Sequence, residues 1–162
     1  MKNDLLSLRK YKFEDAKTIA KWITNEKEHY LWSGGRFPYP VNSDDFNAVY
    51  YSLSCMYSEE NFIPLTFYNN ENMVGHMVII VTEKQLEGQF CFVIVNNDMR
   101  KQGIGKNMLH MAMKYASEQL GIQKITLGVH KQNVIAKKCY TAVGFRKMQM
   151  ELKQVEKYEI DL

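Results

Sequence analysis

Two stretches of this chain set chemically capable residues at telling intervals. The first, Val93-Ile94-Val95-Asn96-Asn97-Asp98-Met99-Arg100-Lys101-Gln102-Gly103-Ile104-Gly105-Lys106, runs from an apolar strand through a polar turn into a helix. Gly103 and Gly105 fall in the first turn of that helix, and a glycine inside a helix costs about 1 kcal/mol relative to alanine. Lacking Cβ, they let an anion come close to free backbone N–H groups. Those groups, at the positive helix end, form a cradle suited to a diphosphate. Arg100, Lys101 and Lys106 add charge around it. The same glycines would also serve a helix that merely begins after a loop. Two rival phosphate motifs fit worse: Gly-x-x-x-x-Gly-Lys-Ser/Thr is absent, and the dinucleotide pattern has Met108 where its third glycine belongs.

The second stretch is Asn133-Val134-Ile135-Ala136-Lys137-Lys138-Cys139-Tyr140-Thr141-Ala142-Val143-Gly144-Phe145. Asn133 and Tyr140 are two helical turns apart and share a face. A phenol there can hydrogen-bond a leaving sulfur and protonate the departing thiolate, since its ordinary pKa of about 10 keeps it protonated at neutral pH. The plainer reading is an N-cap followed by a core tyrosine.

The elements that must carry these segments follow from hydrophobic spacing. Residues 7–12 form a short first strand. Ala16, Ile19, Ala20 and Ile23 fall at helical spacing within 15–23. A loop with two prolines and three aromatics spans 32–40. Ser43 caps a second helix through Met56, with Asp44 and Asp45 in its positive first turn. Strands at 62–68 and 74–82 flank a turn at 69–72. After a turn over 83–88, the apolar run 90–95 suits a strand buried on both faces. Ile104, Met108, Leu109, Ala112, Tyr115, Ala116 and Leu120 then follow helical spacing, stopped by Gly121. Residues 124–129 form a strand. Asn133 caps a helix ending at Val143, with Gly144 as left-handed terminator and Phe145 as its apolar contact. The tail supplies strands near 146–152 and 157–162. This order is mixed α+β, not a repeating doubly wound sheet.

Composition narrows the function classes. The 162 residues suit one domain, and 46% hydrophobic with 24% charged residues excludes disorder. A net charge of +3 with no basic cluster on one element does not point to nucleic acid. The longest apolar runs, 77–81 and 90–95, are far too short to span a membrane, and Met1-Lys2-Asn3-Asp4 lacks a signal-peptide core. Cys55, Cys91 and Cys139 form no Cys-x-x-Cys pair, which suits a reducing, cytoplasmic compartment. His29, His76, His110 and His130 lack metal-ligand spacing, so no metal is expected. No Gly-x-Ser-x-Gly elbow surrounds Ser33. Cys139 reads as a structural thiol.

Together, Arg100-x-x-Gly103-x-Gly105, Asn133-x-x-Ala136 and Tyr140-x-x-x-Gly144-Phe145 resemble the signature of the GCN5-related N-acetyltransferase (GNAT) superfamily, in its bacterial ribosomal-protein-acetyltransferase-like branch. The likeness is close over residues 90–145 and looser elsewhere. Trp32-Ser33-Gly34 with Phe37-Pro38 is also similar to a group of bacterial members.

The resemblance implies one N-acetyltransferase domain over 1–162. Its α+β sheet would be mixed and mostly antiparallel, with six to seven strands splayed at the middle and about four flanking helices. It implies acetyl-CoA as acyl donor and no covalent enzyme intermediate. The strand containing Val93, Ile94 and Val95 would pair with the pantetheine arm. The amides of Arg100, Lys101, Gln102, Gly103, Ile104, Gly105 and Lys106 would hold the diphosphate, Asn133 would contact the pantetheine region, and Tyr140 would be the general acid. Trp32, Phe37 and Tyr39 would either wall the acceptor pocket or pack on the core. The acceptor is a small amine or a protein N-terminus, and a homodimer stays open.

The chain departs from two patterns of the superfamily. Histone-type relatives carry a glutamate where Gln89 stands, and ribosomal-protein alanine acetyltransferases carry one where Gly128 stands. Neither base transfers. Glu87, His130, Glu28 or water remain, or the substrate supplies a neutral amine. A second class is also open: a catalytically silent CoA-binding sensor or scaffold.

Overall fold

In the computed structural model, residues 6–82 and 86–162 are described. The strands are β1 (Leu6–Lys10), β2 (Phe62–Asn69), β3 (Asn72–Val81), β4 (Glu87–Val95), β5 (Lys124–His130), β6 (Arg146–Glu151) and β7 (Val155–Asp161). The helices are α1 (Ala16–Ala20), α2 (Glu26–Ser33), α3 (Ser43–Tyr57), α4 (Ile104–Leu120) and α5 (Val134–Val143), with 3-10 turns before α1 and α4. One seven-stranded sheet has the order β1-β2-β3-β4-β5-β7-β6. Only β4–β5 is parallel. A parallel neighbour needs a long crossover, and α4 provides it.

Several expectations shift. About four helices were expected, and five α-helices are present, because α2 runs through Trp32 where the sequence suggested a loop. Asn42, not Ser43, caps α3: its side-chain oxygen accepts from the Asp45 N–H at 2.8 Å. β4 starts at Glu87, inside the expected turn 83–88, of which 83–85 lie outside the described residues, as does Met1-Lys2-Asn3-Asp4. Strand 90–95 is not buried on both faces. Even positions of β4 are buried and odd ones only half-buried.

The sheet has a hydrophobic cluster on each face. One gathers α4 and α5 against β2 to β5, around Met108, Leu109, Leu127 and Tyr140. The other gathers α1, α3 and the segment after α2, around Ile19, Phe37, Phe46 and Phe92. With both faces covered, β2 and β3 bury nearly every residue. A half-buried ion pair, with Asp15 buried and Arg9 a third exposed, fixes the start of α1. Asp15 accepts from both Arg9 guanidinium nitrogens at 2.8 Å, from the Lys12 N–H at 2.9 Å and from the Thr66 hydroxyl at 3.0 Å.

The feature that builds the site is the parting of β4 from β5. They pair from Glu87↔Lys124 to Phe90↔Leu127 and no further, although β4 stays on β3 to Val95 and β5 stays on β7 to His130. At the parting, β4 carries an extra residue opposite β3, between the pairs with Val78 and His76. Phe92 sits in that bulge at φ 52°. A left-handed backbone costs a non-glycine residue about 1–2 kcal/mol, and the Phe92 ring offsets this by packing on Phe37 at 5.3 Å and Trp32 at 5.7 Å.

Phe92→Ala should lower stability by about 3–5 kcal/mol, as for other buried Phe truncations. In a regular strand glycine is worse than alanine, but the left-handed φ reverses this, so Phe92→Gly should be about 1 kcal/mol more stable than Phe92→Ala. Urea unfolding of the three proteins checks both the size and the order.

Candidate active site

The start of α4 presents a run of open backbone donors. Lys101 (φ 62°) and Gly103 (φ 79°) are both left-handed, and no side chain caps the helix. The first backbone hydrogen bond of the helix runs from the Asn107 N–H to the Gly103 carbonyl. Among the described residues, the N–H groups of 101–106 have no acceptor. That is a run of donors longer than the four every helix leaves open. A Cβ at Gly103 would meet nothing within 4 Å, so this glycine answers to its φ alone. A Cβ at Gly105 would touch Cys139 Sγ at 3.5 Å and Val95 Cγ2 at 3.7 Å. Gly105 is thus the junction of β4, α4 and α5.

The charges beside this loop are partly committed. Arg100 donates from Nε to the Val95 carbonyl at 3.3 Å and from a terminal nitrogen to Glu28 Oε1 at 3.4 Å. Both partners of that ion pair are more than a third exposed, so it is worth little, and an incoming phosphate can take Arg100 from Glu28. Gln102 Nε2 donates to the Asp98 carbonyl at 3.3 Å, stiffening the loop. Lys101 and Lys106 are both exposed.

Asn133 caps α5, its side-chain oxygen accepting from the Ala136 N–H at 3.3 Å. Gly144 ends the helix at φ 116°. Tyr140 lies between them, 8% exposed, with its ring edge-on to Phe145 at 5.9 Å. Among the described residues nothing hydrogen-bonds its hydroxyl. Burial, helped by the nearby Cys139 and Cys91 thiols, pushes the phenol well above its ordinary pKa. It therefore stays a proton donor. Phe145 also packs on Phe90 at 6.3 Å, the last β4 residue paired with β5, which ties the Tyr140 end of α5 to the parting of the strands.

The aromatic segment divides. Phe37 is 3% exposed and belongs to the core, with Trp32 stacked on it at 4.8 Å. Phe37 and Tyr39 line an open recess of about 590 Å³ with Glu26, His29, Tyr30 and Gly35, whereas Trp32 does not line it. A larger recess of about 670 Å³ lies against α3 and β2, bordered by Tyr11, Asn47, Tyr51, Glu59 and Pro64, and holds none of these residues.

The possible bases are dispersed. Glu28 is tied to Arg100. Glu87 stands at the paired end of β4, level with Lys124. His130 Nδ1 accepts from the Gln132 N–H at 3.1 Å, which places the proton of the neutral ring on Nε2 and leaves no free lone pair for an amine proton. Its ring also meets Tyr30 at 5.4 Å, so α2 reaches across to the end of β5. Sequence reasoning missed Tyr30, although Asn25 with Glu28 three residues on is a helix-start signal that leads to it. The three cysteines are free thiols. Among the described residues no helix is long and apolar enough to cross a membrane, and no three His, Cys, Asp or Glu side chains gather as a metal site.

Residues 20–145 match the Acetyltransferase (GNAT) family. That stretch is most of the 162-residue chain, and the chain belongs to this family of acetyltransferases. The fold is similar to a spermidine N-acetyltransferase from Vibrio cholerae solved with CoA and spermine: TM-score 0.80, 19% identity, covering 98% of this chain and 96% of that one. It is also similar to the N-acetyltransferase PseH of Campylobacter jejuni: TM-score 0.71, 18% identity, covering 97% and 98%. The seven-stranded sheet with its flanking helices is the GNAT fold.

The two glycines should respond with opposite signs. Gly103→Ala should lose about 1–2 kcal/mol of stability through its φ. Gly105→Ala, whose Cβ meets only ordinary contacts, should gain up to about 1 kcal/mol through helix propensity. Chemical denaturation of the ligand-free proteins distinguishes them.

Proposed function

We propose that this chain transfers the acetyl group of acetyl-CoA to a primary amine by direct attack in a ternary complex. The observation that carries this reading is the run of unpaired amides over 101–106, opening beside a strand whose residues 91–95 have lost one neighbour. In the free chain water meets most of these amides, since Lys101, Gln102, Gly103 and Lys106 are exposed, and an anion can replace that water at a positive helix start. A diphosphate would satisfy the first set, and an extended pantetheine arm, pairing as an added strand along Val93, Ile94 and Val95, would satisfy the second. Arg100, Lys101, Gln102, Gly103, Ile104, Gly105 and Lys106 are the diphosphate site, and Asn133 adjoins the pantetheine.

In the reaction, the amine lone pair adds to the thioester carbonyl to give a tetrahedral intermediate. A free N–H of β4 stabilises its oxyanion. The C–S bond then breaks, the thiolate takes the Tyr140 proton, and the nitrogen gives its surplus proton to water. Water is the acceptor of that proton because Glu28, Glu87 and His130 are engaged or remote. Tyr140 is reprotonated from solvent. The acceptor is a small amine or, as in the ribosomal-protein-acetyltransferase-like branch, a protein N-terminus. A cytoplasmic location fits the three free thiols.

Calorimetry with the purified chain should detect binding of both coenzyme A and acetyl-CoA, and no affinity for either would end this reading. Tyr140→Phe should lower kcat by about 10²–10⁴-fold, the usual worth of a positioned acid, with coenzyme affinity unchanged. Turnover by no amine in a broad panel, with binding intact, would instead make the chain a silent CoA-binding module.

The pH profile supplies a further check. Without a protein base, kcat/KM should climb tenfold per pH unit up to the pKa of the acceptor, about 8 for an α-amine and about 10.4 for a lysine-like one. Because burial raises the Tyr140 pKa, the phenol keeps its proton over this range and adds no descending limb. A fall between pH 7 and 9 that vanishes in Tyr140→Phe would contradict the assignment.

A further inference from the structure

The recess of about 670 Å³ between α3 and β2 takes no part in the proposed reaction, and its volume suits a small molecule. From α3 it is lined by Asp44, Asn47, Ala48, Tyr51 and Ser54. These fall three and four residues apart, so one stripe of the helix faces the opening. The facing wall comes from Tyr11 and Phe13, after β1, and from Phe62 and Pro64 of β2. Asn47 ties the two walls together. Its side-chain oxygen accepts from the Tyr11 hydroxyl at 2.6 Å, and its amide nitrogen donates to the Phe13 carbonyl at 3.2 Å and the Ser43 carbonyl at 3.0 Å.

The lining is rich in rings. Tyr50 stands at 63° to Tyr11, 5.3 Å away, and at 83° to Phe62, 5.4 Å away, so three rings meet as steep walls. At the rim, Phe13 is 69% and Tyr51 73% exposed. A single exposed ring is ordinary, but two at the rim of one recess form an apolar patch that points to a ligand.

The charge of the recess has one sign. Among the described residues no lysine, arginine or histidine lines it, whereas Asp44 and Glu59 stand at opposite ends of α3. Neither carboxylate has a cation within 4.0 Å among the described residues. Glu59 is set by Ser58, which lies at φ 72° and ψ 154°, a backbone region nearly reserved for glycine. The Ser58 carbonyl accepts from the Asn61 and Phe62 N–H groups at 3.2 and 3.1 Å, which holds that turn.

The polar groups deeper in the recess are engaged. Asn47 is committed as above, the Ser54 hydroxyl donates to the Tyr51 carbonyl at 2.8 Å, and the Tyr50 hydroxyl meets His76 Nε2 at 2.6 Å. A primary ammonium brings three N–H donors that need acceptors, and this interior has none to spare. A quaternary ammonium brings no N–H. Its methyl groups pack on apolar walls while its charge is drawn to ring faces and carboxylates. Its nitrogen also has no lone pair, so it cannot accept an acetyl group.

We infer that this recess binds a small quaternary ammonium compound, its methylated head against the aromatic walls and its charge offset by Asp44 and Glu59.

The test is calorimetry on the full chain with choline, with its neutral isostere 3,3-dimethyl-1-butanol and with its primary analogue ethanolamine. Choline should bind about tenfold tighter than either, the worth of a cation partly desolvated over aromatic rings. Phe13→Ala and Tyr51→Ala, which remove rings exposed enough to spare the core, should each weaken choline about two- to fivefold. Asp44→Asn combined with Glu59→Gln should shrink the preference over the isostere, as should added salt. Tyr30→Ala, in the other recess, and saturating coenzyme A should leave choline affinity unchanged. No binding of choline, equal binding of the isostere, tighter binding of ethanolamine, or an affinity that survives both ring deletions but falls in Tyr30→Ala would overturn the inference.

Discussion

The structure depends on a withheld ladder. Two neighbouring parallel strands in the middle of a sheet would ordinarily pair along their whole length, yet β4 and β5 share four residue pairs and then separate. Leaving the ladder of a central strand open is costly, and it is left open beside the start of α4, where six further amides have no acceptor within the chain and most face solvent. The separation is enforced from the other face of the sheet. Phe92, held at a left-handed φ, is anchored by Phe37 and Trp32, and its bulge turns the end of β4 away from β5. An aromatic cluster thus sets the backbone geometry that a ligand would complete.

Much of this was legible because it is local. The α4 start, the Gly121 and Gly144 terminators and the Asn133 cap all rest on residues within one turn of each other, and each stands where spacing placed it. Tyr140 follows from the same α5 register. What escaped was tertiary. Nothing in the identity of Phe92 announces a positive φ, since the aromatic cluster that imposes it is assembled from segments some fifty residues apart in sequence. The burial of β4 was overread because a run of apolar residues looks alike whether one edge of the strand is paired or free. α2 was passed over because its eight residues are mostly polar, although Asn25 and Glu28 mark its start.

The acceptor side was the least legible part. Gln89 and Gly128 could be aligned with positions that carry a base in relatives, but their absence named no replacement. Lys157 over Gly128 emerges only from the β5–β7 register, which brings together residues 29 apart in the chain. The His130 tautomer likewise depends on a backbone contact two residues on.

The division of the core into two clusters, one on each face of the sheet, has an evolutionary consequence. The residues proposed to hold the donor lie on the face packed by α4 and α5, while the opposite face is packed by α1 and α3. Changes at sites more than about 7–10 Å apart with no shared partners act additively, and the sheet keeps most of these residues apart. The fold can therefore exchange one clientele for another by rewriting a single face, while the machinery on its reverse is inherited intact.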